Sequence, residues 1–166
     1  MMVLGMSGCG GPAEKDGTGR VMTESALGPA ATVTYEFQDS SVPPPYHRSY
    51  GLTFDRSSAR IVVDSYGDVL ADLSAPMPEQ VWEQVSRTFP EVRTLTVEVP
   101  DQGCAGGTGF ALTVAEDGTK DGSQHYVLRG TACGGTNSSV AAAVSEWVGP
   151  VRALFPPMDE LAPEGE

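Results

Sequence analysis

The chain has 166 residues, 40% of them hydrophobic, enough for one domain with a real core and short flanking segments. Its 22 acidic and 10 basic residues give a formal net charge of -12. That charge repels a phosphate backbone or an anionic lipid surface, which excludes nucleic-acid binding, and no apolar run reaches the roughly 20 residues of a membrane-crossing helix.

Met1 to Met6 is short and apolar, Ser7, Gly8 and Cys9 follow, and the composition then turns to Gly, Pro, Glu, Lys and Asp. Met6-Ser7-Gly8-Cys9 resembles the lipobox of bacterial cell-envelope lipoproteins, in which an apolar and two small residues precede a cysteine whose thiol carries diacylglycerol. The resemblance implies that residues 1–8 are a truncated signal-peptide remnant, lacking the basic segment and the apolar stretch of about 7 to 15 residues of a complete one. It further implies that Cys9 is lipidated and holds the protein at the extracytoplasmic face of the cell membrane. Residues 9–31 read as the lipidated cysteine and a flexible tether, since Gly10 to Ala31 is rich in small residues without sustained periodicity. About 20 such residues span on the order of 25 Å as a random coil.

Residues 32–155 carry the periodic signals of a single α+β domain. Val33, Tyr35 and Phe37 alternate with Thr34, Glu36 and Gln38, the pattern of a half-buried strand, until Pro43 to Pro45 break it. Tyr50, Leu52 and Phe54 form a second alternation, Ile61 to Val63 a third strand, and Tyr66-Gly67-Asp68 turns the chain into Val69 to Leu73. Short turns between these segments predict an antiparallel meander. After Pro76 and Pro78, Val81, Val85 and Phe89 recur at helical spacing beside Trp82, and Pro90 is expected to stop that helix. Leu95 to Val99 reads as a further strand. Phe110 to Val114 and Gln124 to Ala132 read as a pair joined through "EDGTKDG". Asn137 or Ser138 caps a last helix, which Gly149-Pro150 is expected to kink or restart. The expected architecture is a mainly antiparallel sheet of about six to seven strands with two helices on one face, followed by an acidic, proline-rich tail, residues 156–166, expected to be disordered.

With Cys9 set aside for lipid, Cys104 and Cys133 remain, each beside glycine-rich turns. In an exported protein they read as one disulfide, closing a loop of roughly 30 residues. Neither belongs to a CxxC pair or has a histidine nearby, so a zinc site or catalytic thiol has little support. The glycines of "GCAGGTG" lack the lysine and following helix of a phosphate loop. Asp64, Asp68 and Asp72 lie across a turn rather than on one helix face. Glu116, Asp117 and Asp121 lack the alternating ligands of a calcium loop, so neither a metal nor a cofactor is expected.

Two histidines, His47 and His125, are the only candidate bases, and the sequence motifs of the common hydrolases are absent. "SSVPPPYHRSYG" is the most suggestive segment of the domain. Its prolines are stiff, and Tyr46, His47 and Arg48 supply side chains that anchor partner contacts. The same prolines also fit the protection of a sheet edge. The leading expectation is therefore a noncatalytic binding or interaction module, lipid-anchored, with an envelope protein or small ligand as partner. The alternatives are a small envelope hydrolase using His47 or His125, and a carrier with a ligand pocket between sheet and helices.

Overall fold

The computed structural model describes residues 26–99, 104–116 and 124–165, with the backbone alone for Gln124 and His125. Cys9, the tether up to Ser25 and the hairpin tip, residues 117–123, lie outside the described residues.

Six antiparallel strands form one sheet: β1 (Ala31–Gln38), β2 (Ser49–Phe54), β3 (Ser58–Ser65), β4 (Asp68–Pro76), β5 (Thr108–Glu116) and β6 (Gln124–Ala132), in the spatial order β4-β3-β2-β1-β5-β6. The first four make the expected meander. The chain then crosses through helix α1 (Glu79–Val92) and pairs β5 with the free edge of β1. Helix α2 (Ser138–Arg152) and a single helical turn, α3 (Met158–Leu161), complete the domain.

Register carries the sequence alternation across the sheet. Val33 pairs with Phe54 and Val114, Tyr35 with Leu52 and Leu112, and Leu52 in turn with Ile61. All of these are buried, against Trp82, Val85 and Phe89 of α1 and Val144, Trp147, Val148 and Val151 of α2. Burying each large apolar side chain stabilises the fold by roughly 1.5 to 3 kcal/mol. The indole of Trp147 packs between Phe54 and Phe89, and its N–H donates to the Val85 carbonyl at 3.0 Å, which joins α2 to α1.

Four local expectations need correction. Leu95 to Val99 is not a strand. Among the described residues its ladder-like bonds come from a side chain: Asn137 Oδ1 accepts the Glu98 N–H at 2.8 Å while Asn137 Nδ2 donates to the Glu98 carbonyl at 2.9 Å. Asn137 stands at the N-cap of α2 with φ 58°, and its amide is spent on this bridge, not on capping. Pro90 does not stop α1, and Pro150 does not break α2; each helix runs two residues further. Burial of Val92 beyond Pro90, and of Val151 beyond Pro150, outweighs the lost backbone bond. The acidic tail is docked, with Ala162 buried and Leu161 half-buried.

Candidate functional site

Cys104 and Cys133 form a disulfide with 5.9 Å between their Cα atoms, joining the segment before β5 to the end of β6. The glycines beside it have a packing reason. A Cβ on Gly107 would collide with Cys104 Sγ and lie 2.8 Å from the Ala132 carbonyl oxygen, so only glycine lets the chain pass the bridge.

The proline segment forms a short 3-10 turn, Pro44–Tyr46, and separates the three proposed contact residues. Tyr46 is exposed, whereas His47 and Arg48 are buried. The Arg48 guanidinium has no carboxylate partner among the described residues. Its Nε donates to the Ala162 carbonyl at 2.8 Å, one terminal nitrogen to His47 O at 2.7 Å, and the other to Pro45 O at 3.0 Å and to Pro163 O. Prolines explain the arrangement: extended proline-rich backbone leaves its carbonyls without internal partners, and a planar fork of five donors satisfies several at once. Asp39 organises the same loop, its carboxylate accepting the N–H groups of Ser40 at 2.7 Å and Arg48 at 2.9 Å.

His47 lies on the opposite side of this loop. Its ring stacks on Tyr66 with 3.9 Å between centroids, and the Tyr66 hydroxyl donates to the Val42 carbonyl at 2.6 Å. Tyr66 and Gly67 both have positive φ, 52° and 95°, the geometry of a two-residue type I′ hairpin between β3 and β4. A tyrosine in that left-handed region carries roughly 1 to 2 kcal/mol of strain, which the stack and the hydroxyl bond hold in place. His47 Nε2 is 3.3 Å from Ser49 Oγ, which also accepts the Asp39 N–H at 3.0 Å. The hydroxyl proton is satisfied by donation to Nε2, an assignment that leaves the ring hydrogen on Nδ1. Nδ1 is buried and has no protein partner among the described residues.

These groups line one end of a groove of about 850 Å³ on the sheet face opposite the helices. Its floor is made of small residues: Gly51 of β2 pairs with Glu36 of β1, which pairs with Ala111 of β5, which pairs with Arg129 of β6. Glu36 and Arg129 therefore stand on either side of a methyl, and Gly51 leaves open space above it. The disulfide-side wall is Gly107, Gly109 and Thr131. Beneath the floor, Tyr35 and Tyr50 meet edge to face at 5.9 Å, and burial raises both phenol pKa values.

The groove gathers His47 from the proposed contact residues. Tyr46 and Arg48 lie outside its lining. It adds Glu36, Ser49, Gly51, Tyr66 and Arg129, which sequence reading did not single out. A glycine inside an otherwise alternating strand was the available signal for Gly51. His125 is placed by its backbone opposite Ala115 on the edge strand β6. The layer between sheet and helices, where the carrier alternative puts its pocket, contains the buried indoles of Trp82 and Trp147. Among the described residues, no helix is long and apolar enough to cross a membrane. Compared with known proteins, the chain matches no family model, no curated protein and no solved structure.

Proposed function

We propose that this protein is a lipid-anchored, extracytoplasmic binding module whose uncovered sheet face takes up an envelope component. The observation that carries the binding reading is the groove itself, with Gly51 and Ala111 in its floor, Gly107 and Gly109 in its wall, and opposed charges on Glu36 and Arg129. Small floor residues admit close approach, and a few polar groups on a concave surface fix orientation. The anchoring half of the proposal rests on Met6-Ser7-Gly8-Cys9, and the Cys104–Cys133 disulfide accords with an oxidising compartment. Gly51→Trp is the test, because a Cβ there meets nothing within 4 Å and an indole would fill the groove without disturbing the core. The variant should keep its melting temperature and lose the envelope component that the wild-type protein retains; equal retention overturns the placement.

A second reading, a small envelope hydrolase, draws on the 3.3 Å contact of Ser49 Oγ with His47 Nε2, the atoms that a serine nucleophile and its base bring together. No carboxylate bonds Nδ1 among the described residues to orient the ring, so binding is the better supported reading. Labelling of Ser49 by a fluorophosphonate would reverse that order.

A further inference from the structure

Part of the sheet-face groove is a slot with its own walls. Gly109 and Ala111 of β5 carry no side chain beyond a methyl, and register places Gln38 and Glu36 of β1 along one side and Thr131 and Arg129 of β6 along the other. All six line the groove. Ala111 is only 7% exposed although it faces away from the helices and lies outside the core cluster, so the side chains on either side rise close around it. The Gln38 carboxamide leans over the same strand, its Oε1 3.0 Å from where a Cβ on Gly109 would stand.

Charge defines what the slot can hold. Glu36 and Arg129 face each other across a single strand, yet neither has an ion-pair partner among the described residues. The other carboxylates of the groove are engaged by backbone: Asp39 accepts the N–H groups of Ser40 and Arg48, and Asp64 accepts that of Gly67 at 2.8 Å. A lone cation drawn to Glu36 would be repelled by Arg129, and a lone anion drawn to Arg129 would be repelled by Glu36. A zwitterion satisfies both.

Size selects among zwitterions. The backbones that carry the two charges are two strand spacings apart, roughly 10 Å. An α-ammonium nitrogen and its carboxylate carbon lie about 2.5 Å apart through one carbon, and a charge-assisted contact of about 2.8 Å at each end makes a bridge of roughly 8 Å. The carboxylate matches the guanidinium fork, the ammonium matches Glu36, and Gln38 and Thr131 offer donors and acceptors to a polar group beside them. Being neutral overall, such a ligand is not repelled by a chain of net charge -12.

We infer that this slot binds an α-amino acid zwitterion, either free or joined through its side chain to an envelope polymer. The inference rests on the sheet-face groove being the binding site and names what that site recognises.

The probes are the common amino acids, each as the free zwitterion, the N-acetyl derivative and the carboxamide, titrated into the full chain with amide chemical shifts as the readout. At least one free amino acid should shift the Gly109 and Ala111 amides saturably, with both blocked forms at least tenfold weaker. Glu36→Gln should remove the preference over the N-acetyl form and Arg129→Met the preference over the carboxamide, each at an unchanged melting temperature. Binding by none of the free amino acids, or equal binding of the blocked forms, overturns the zwitterion. The mass retained by protein from its own cells separates the two sources: a single amino acid identifies the free ligand, and a larger adduct with both its α-amine and α-carboxyl unblocked identifies the polymer-bound one. A retained component without a zwitterion that Gly51→Trp still abolishes overturns this inference and leaves the groove reading standing, whereas equal retention by Gly51→Trp overturns the groove reading and this inference with it.

Discussion

The imidazole of His47 lies on the phenol of Tyr66, with ring centroids 3.9 Å apart and planes 23° from parallel. This contact joins the proline loop to the β3–β4 hairpin and closes one end of the sheet-face groove. Stacked aromatic pairs contribute about 0.5 to 1.5 kcal/mol beyond the area they bury.

Tyr66→Ala should therefore cost about 1 to 2 kcal/mol, from the lost stack and the lost hydroxyl bond to Val42. Tyr66→Gly should cost less, because glycine takes the positive φ without strain. Urea denaturation of both variants checks the ordering, and equal losses would remove strain from the explanation.

Reduction of the Cys104–Cys133 bridge frees a loop with a sequence separation of 29 and should lower stability by about 3 to 4 kcal/mol in the chain-entropy account. Gly107→Ala should act on the same bridge through collision with Cys104 Sγ. We expect free thiol to appear in that variant by mass spectrometry, while Gly134→Ala, which adds a Cβ to open space and strains only its own φ of 56°, keeps the bridge.

Arg48→Met keeps the length of the side chain and removes every donor, leaving buried carbonyls of Ala162 and His47 unpaired. The expected loss is about 2 to 4 kcal/mol, with little recovery in Arg48→Lys. Thermal melts of the pair measure it; full recovery by lysine would show that charge, not the fork, holds the loop.

Burial pushes the phenol of Tyr35 far above the ordinary tyrosine value and raises those of Tyr50 and Tyr126 as well. Below about pH 10 the phenols are protonated in both states, so their contribution to stability is complete. Above it the unfolded chain ionises first, and stability falls as pH climbs toward the folded values. Phenolate absorbance should appear together with unfolding, and Tyr35→Phe should flatten the alkaline decline. Reversible ionisation of Tyr35 in a folded chain would contradict this.

The layered fold was legible because burial on one face imposes period two on strands and a single stripe on helices, and both survive in Val33-Tyr35-Phe37 and in Val81-Val85-Phe89. The paired cysteines were legible for a similar reason, with glycines marking a close chain approach. Prolines misled at Pro90 and Pro150, because local cost is visible in sequence whereas the burial that offsets it is tertiary. The strand expected at Leu95 to Val99 had the right alternation but no neighbour, since the sheet ends at β6. Arg48 reads as a surface anchor until the carbonyls of Ala162 and Pro163 are known to lie beside it, and no local pattern carries a contact across 114 positions. The groove was equally hidden: Glu36, Gly51, Ala111 and Arg129 become one row only when strand order is fixed.

The most direct test of a lipid-anchored binding module is the intact mass of the protein recovered from its own cells, under native conditions and then with reductant. The account predicts a chain beginning at Cys9 that carries a diacylglycerol-sized increment, a two-hydrogen deficit that reductant removes, and additional retained mass that Gly51→Trp abolishes. An unmodified chain still carrying Met1, with three free thiols and no retained mass, would contradict it.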